Sequence, residues 1–241
     1  VRAKADPRVK KMNKATIHEI EDFHNRFHVF RDRESAGKTL GGMMESEYGG
    51  RDDVAVLAIP AGGVPVALQV RSILNASFDL IISRKLKVPG NPESGFGALS
   101  LGGEVFLNRS LVSDLRIEEE DIEAEISAVK VELDKRNHLF RKGRSFPDLN
   151  GKVVVIVDDG LASGYTMLAS INMVKGHGAR KIVVAVPTAS LSTLEKVRPE
   201  ADEVFCPNIR EGAFFAVADA YTKWVDLDED EVVRLLAGAI P

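Results

Sequence analysis

Cysteine and tryptophan occur once each in this 241-residue chain, at Cys206 and Trp224, and no apolar run approaches the length needed to span a bilayer. A lone cysteine excludes an internal disulfide, and without a Cys-x-x-Cys spacing or an accompanying base Cys206 reads as a small buried hydrophobe. The missing apolar run excludes a membrane-spanning helix. The opening Val1-Arg2-Ala3-Lys4 leads into polar residues rather than a signal core, so the expected location is cytoplasmic. Charge of one sign is also scarce: the formal net charge is −4, which supplies no global basic field and leaves nucleic acid outside the expected partners. What remains is ordinary globular composition, 44% hydrophobic and 28% charged. The length suffices for one α/β domain with an appendage or two small domains.

Against that background one stretch stands out. Val153-Val154-Val155-Ile156-Val157 is a β-branched apolar run of the kind found in the middle of a parallel sheet covered on both faces. Asp158 and Asp159 end it. Adjacent acids at that point repel each other and lose hydration if buried, so a bound ligand or cation explains them better than packing does. Then come Gly160, Leu161, Ala162, Ser163, Gly164, Tyr165 and Thr166, after which apolar residues through Val174 begin a helix. Glycine-opened amides at a helix N-terminus, with two hydroxyl donors, form an anion cup. Acid pair and cup side by side describe a ligand that carries a phosphate near a diol, such as a ribose 5-phosphate.

The segment closely resembles the phosphoribosyl pyrophosphate signature of the type I phosphoribosyltransferases: hydrophobic strand, two acids, Gly-x-x-Ser-Gly-x-Thr. The resemblance implies that Asp158 and Asp159 hold the ribose hydroxyls and that the amides from Gly160 to Thr166 hold the 5-phosphate. It also implies Mg²⁺ as cofactor. Mg²⁺ keeps most of its waters, so no side chain is assigned as a direct ligand and the two aspartates act through the sugar or a water.

Elsewhere the chain supplies a second strand–glycine–helix unit. Val54 to Ile59 is a buried strand, Pro60-Ala61-Gly62-Gly63 a turn, and Val64 to Leu74 helical in period. In the resembled family this position is the pyrophosphate loop, and Ala61, Gly62 and Gly63 map onto it. A strand over 78–83 ends in Arg84-Lys85, two cations suited to a departing pyrophosphate. Residues 86–97, with Pro89-Gly90-Asn91-Pro92 and Gly95-Phe96-Gly97, carry many breakers and read as a long flexible loop. The resemblance gives that loop the role of a lid that excludes water. Ala98 to Leu101 and Glu104 to Leu107, joined by Gly102-Gly103, alternate as a hairpin. Glu118 to Lys142 is one amphipathic helix with a solvated charged face.

Other features read blandly. Residues 1–13 form a basic, flexible arm, and 14–50 an N-terminal helical segment capped by Asp32, in which Gly37-Lys38-Thr39 is helix surface because Asp32 stands where a P-loop needs glycine. His18, His24 and His28 lack the carboxylate or cysteine that would complete a metal shell. Aromatics gather after residue 208, where Phe214 or Trp224 could stack on a flat acceptor.

The expected fold is an α/β doubly wound parallel sheet, with strands near 54–59, 78–83, 153–157, 182–186 and 203–206. Its core spans 51–207, and a small hood is built from the terminal segments 14–50 and 208–241. The expected activity is transfer of the phosphoribosyl group of phosphoribosyl pyrophosphate to a small nitrogenous acceptor, with Asp158, Asp159, Arg84 and Lys85 at the reacting end. A homo-oligomer is compatible with this. A rival reading is a regulator that senses phosphoribosyl pyrophosphate or a nucleotide without turnover.

Overall fold

The structure, a computed structural model, describes residues 15–212 and 214–239. The expected basic arm over 1–13 lies outside the described residues. The chain opens with a short strand, β1 (Thr16–His18), and a helix, α1 (Arg33–Tyr48), then alternates through β2 (Val54–Ala58), α2 (Gly63–Leu74) and β3 (Ser77–Leu80). Three further strands follow, β4 (Ser83–Val88), β5 (Asn91–Ser100) and β6 (Val105–Leu107), with helices α3 (Arg109–Asp114) and α4 (Glu119–Arg141). Alternation resumes in β7 (Val153–Val157), α5 (Tyr165–Gly176), β8 (Lys181–Ala185), β9 (Thr188–Ser190), α6 (Leu191–Val197), β10 (Glu203–Phe205), β11 (Asn208–Arg210) and α7 (Glu229–Leu236).

Six strands form a parallel sheet in the order β1-β10-β8-β7-β2-β3. The five residues of β7 and of β2 are all buried, as continuous apolar strands must be when both faces are covered. Successive residues serve opposite cores. Val153, Val155 and Val157 pack with α1, α2, α4 and α7, whereas Val154 and Ile156 pack with α5 and α6. The α/β doubly wound class expected from the sequence is therefore the fold observed.

Asp32 caps α1 through a reciprocal box with Ser35: its carboxylate accepts from the Ser35 amide at 2.8 Å and its own amide donates to Ser35 Oγ at 3.0 Å. Gly37 is not surface, contrary to expectation. It is buried where α1 crosses α2, and a Cβ there would strike the Val66 carbonyl, so glycine is what permits the close crossing. Both α1 and α7 join the helical layer. The parts of the termini that clasp the sheet edge are shorter. Asn208 Nδ2 donates to the carbonyls of Phe23 and Arg26, Phe30 bridges to Tyr221, and these aromatics share a small core with Ala36.

Two departures from the sequence reading concern residues 78–97. The strand expected over 78–83 leaves the main sheet after Leu80, and Ser83 begins a separate antiparallel sheet, β4-β5-β6. The buried run Leu80-Ile81-Ile82 is continuous across the change of partner, which composition cannot mark. The expected loop over 86–97 is a β-hairpin turning at Gly90, whose φ is +74°, with register shifts around Lys87. Its glycines are not breakers: a Cβ on Gly95 would strike the Lys85 side chain, and one on Gly97 the Phe106 carbonyl. The β5–β6 pairing of Gly97 with Leu107 through Leu99 with Val105 matches the hairpin expected around Gly102-Gly103.

Candidate active site

β7 lies between β2 and β8, so whatever follows Val157 is delivered to the middle of the sheet's carboxyl edge, where open α/β sheets bind ligands. Asp158 and Asp159 follow. The Asp159 amide donates to Asp158 Oδ1 at 2.8 Å, and the two carboxyls lie close enough to hydrogen-bond when one is protonated. They share one space. Burial, then the neighbouring Asp159 charge, pushes the Asp158 carboxyl well above the usual carboxylate range. Burial also raises Asp159, against the opposing pull of Arg33. Arg33 Nε donates to Asp159 Oδ2 at 2.8 Å, with the two side chains only 10% and 14% exposed. Its guanidinium lies 3.9 Å from the centroid of the Trp224 ring, and Tyr221 Oη donates to the Asp159 carbonyl at 2.6 Å. Two acids face one arginine, so one carboxyl has no counter-charge and is held toward its protonated form.

The loop after the acids is buttressed from behind. Leu161 bridges to Ala189 and donates its amide to the Thr188 carbonyl at 2.9 Å, while Thr193 Oγ1 donates to the Ala162 carbonyl at 2.6 Å. Gly164, at φ +81°, turns the chain into α5. Among the described residues, the amides of Ala162, Ser163, Gly164, Tyr165 and Thr166 meet no protein acceptor, and neither do the hydroxyls of Ser163 and Thr166. The expected cup over Gly160 to Thr166 is thus open from Ala162 onward, whereas the Leu161 amide is already taken.

The Ala61-Gly62-Gly63 turn comes to the same place. A Cβ on Gly62 would run into the Asp159 carboxylate, and one on Gly63 into the Val157 carbonyl and Asp158 Cα, so these glycines let the start of α2 lie against the acid pair. The Gly63 amide donates to the Ile59 carbonyl at 3.1 Å. Among the described residues, the amides of Ala61 and Gly62 meet no acceptor.

Arg84 and Lys85 part company. Successive residues of a strand point to opposite faces, and Arg84 Nη2 pairs with Glu132 Oε2 on α4 at 2.7 Å. That engagement differs from the expected place at a leaving group: it pins the hairpin to the long helix. Lys85 shares its face with Ser83, whose Oγ lies 3.2 Å from Ser170 Oγ on α5, so Lys85 stands on the side of the helix that begins at the cup. Of the chain-terminal aromatics, Phe214 is 92% exposed and one face of Trp224 is covered by Arg33.

The histidines do other work. His18 stacks on Phe205 at 4.2 Å, His24 pairs with Glu19, and His28 Nδ1 lies 2.9 Å from the Tyr221 carbonyl. Among the described residues, no group of three or more His, Cys, Asp or Glu could hold a metal ion. Cys206 is buried, which raises its thiol far above the ordinary value, so it is inert at neutral pH.

The model of the phosphoribosyl transferase domain family matches residues 36–222, a span that contains the acid pair, the cup and the glycine turn. The chain belongs to the phosphoribosyl transferase domain family. Two relatives in Mycobacterium tuberculosis, strains CDC 1551 and H37Rv, carry the provisional name phosphoribosyl transferase and are each 38% identical over 208 residues. Those residues are 86% of this chain and 46% of each relative, so the chain spans less than half the length of these proteins. Among solved structures, TT1426 from Thermus thermophilus superposes with a TM-score of 0.73 at 33% identity, covering 88% of this chain and 99% of its own.

Arg33, Tyr221 and the Thr188–Thr193 buttress were not legible in the sequence as parts of this candidate site. Arg33 lies 126 residues from its partner Asp159, and the one local signal was the Asp32 cap, which fixes where α1 starts.

Proposed function

We propose that this chain transfers the 5-phosphoribosyl group of phosphoribosyl pyrophosphate to a nitrogenous acceptor in a magnesium-dependent reaction. The observation that carries the reading is the convergence at one sheet edge of an acid pair with a single counter-charge, five open amides and a glycine turn that touches the acids. The 5-phosphate would sit on the amides of Ala162 to Thr166 and the ribose hydroxyls on Asp158 and Asp159. The pyrophosphate would meet the Ala61 and Gly62 amides, with Lys85 approaching from the hairpin. In the transfer, the C1–oxygen bond breaks, its electron pair leaves with pyrophosphate, and the acceptor nitrogen forms the new bond to C1 and gives up its proton to water or to the departing pyrophosphate.

Two carboxyls with no third metal-binding partner among the described residues suit Mg²⁺, which favours oxygen ligands from substrate and water over a protein cage. When bound, Mg²⁺ supplies charge neutralisation on the leaving diphosphate. Asp158 and Asp159 would hold it through the sugar or a water.

A second reading, a regulator that binds phosphoribosyl pyrophosphate or a nucleotide without turnover, draws support from Arg33, which already occupies Asp159. The two separate in one assay: a panel of bases and other amines tested for magnesium-dependent pyrophosphate release. The enzyme reading expects release with at least one acceptor, and Lys85→Ala should lower that turnover more than it lowers affinity for ribose 5-phosphate. Binding of the sugar diphosphate with no release from any acceptor would favour the regulator.

A further inference from the structure

A cavity of about 760 Å³ opens on the α5 side of β2 and β3, beside the edge strand of the sheet. It shares no residue with the acid pair, the cup or the glycine turn. Its apolar lining includes Leu57 and Phe146, which belong to the core on the α5 side of the sheet; the Phe78 side chain packs in the opposite core. The lining also carries three cations, Arg71 from the last turn of α2, Arg144 and Lys152.

These cations are under-used. Arg71 Nη1 donates to the Ala239 carbonyl at 3.2 Å, but Arg71 Nε is buried with no acceptor, which costs free energy unless a ligand or water supplies one. Among the described residues Arg144 donates through Nε alone, to the Arg141 carbonyl at 3.0 Å. Lys152 has no side-chain partner among the described residues. Of the two acids on the lining, Asp79 is neutralised by Arg141 through bonds of 2.8 and 3.1 Å, so only Asp148 offsets three cations.

Pockets that enclose small ligands run from about 300 to 1,000 Å³ and combine apolar walls with a few placed polar groups. From this cavity we infer a second ligand site, for an anionic molecule of nucleotide size whose phosphate meets Arg71, Arg144 and Lys152 while its ring lies against the apolar lining of Leu57 and Phe146. Guanidinium and ammonium donors to phosphate make charge-assisted bonds stronger than neutral ones. The apolar lining supplies the part of affinity that phosphate alone cannot. This site stands whether or not the carboxyl edge transfers a phosphoribosyl group.

The test is calorimetric titration of the full chain with AMP and GMP, with inorganic phosphate and adenosine as separate arms. Binding of a mononucleotide should survive Asp158→Asn/Asp159→Asn and weaken at least tenfold in Lys152→Met and in Arg144→Met. Both positions are partly exposed, and unchanged melting temperatures would show the variants folded. No binding of either mononucleotide, binding lost with the acid pair, or binding untouched by Lys152→Met would overturn the site. Phosphate binding as tightly as AMP would overturn the role of the apolar lining.

Discussion

Arg141 with Asp79, and Asp158 with Asp159, are two clusters of buried charge on the same sheet, and they are built to opposite ends. Arg141 is 1% exposed and saturated: Nε and Nη2 donate to the two Asp79 oxygens, Nη1 to Asn137 Oδ1 and the Arg144 carbonyl, and Nη2 also to the Ser145 carbonyl. Every donor has an acceptor and the charges cancel. The acid pair is the reverse, with two carboxyls against Arg33 alone, both pushed toward protonation by burial. Burial of charge that is balanced holds a structure together; a buried acid without a counter-charge is held in readiness for something to be bound.

Three substitutions sharpen the contrast. The largest effect is expected of Arg141→Met, which strands Asp79 and should cost about 3–5 kcal/mol of unfolding free energy in a denaturant titration. The folded fraction should bind phosphoribosyl pyrophosphate as the wild type does, and a selective loss of that binding would place Arg141 in the site instead.

Gly62→Ala should act the other way round. The new methyl group collides with the Asp159 carboxylate, so affinity for phosphoribosyl pyrophosphate with magnesium should fall at least about tenfold, or about 1.4 kcal/mol. Its melting temperature should move little. Equal affinity by calorimetry would separate the glycine turn from the acids.

Smallest is Asp158→Asn in the absence of ligand. The folded-state pKa of Asp158 is raised, so the wild type is favoured when protonated and loses stability as pH rises through that folded value. The amide removes the loss. The variant should therefore be more stable than the wild type at pH 8, with the gain vanishing below about pH 4, the ordinary carboxylate range. A variant less stable at pH 8, by melting temperature across a pH series, would mean that the acid is structurally required.

Legibility in the sequence followed how local each cause is. Five buried residues in β7 and in β2 declare a covered parallel strand, and a glycine turn or cup directly after each declares an anion site, all within about twenty residues of chain. The hairpin over β4 and β5 was misread because Gly95 and Gly97 look like breakers until Lys85 and Phe106 are seen pressing against them. The Arg84 pairing with Glu132 was not foreseen because Glu132, on a helix 48 residues later, has no signal at position 84. Arg33 was missed for the same reason: a guanidinium inserted between Asp159 and Trp224 is a tertiary event that begins from an ordinary helix start.

The central claim is that the carboxyl edge of β7 brings surplus acid and open amides to one ligand. Calorimetry of phosphoribosyl pyrophosphate with magnesium tests it most directly, on the wild type and on Asp158→Asn/Asp159→Asn. We expect measurable binding in the first and at least a hundredfold loss in the second, with the fold retained. Unchanged affinity in the double variant would contradict the account.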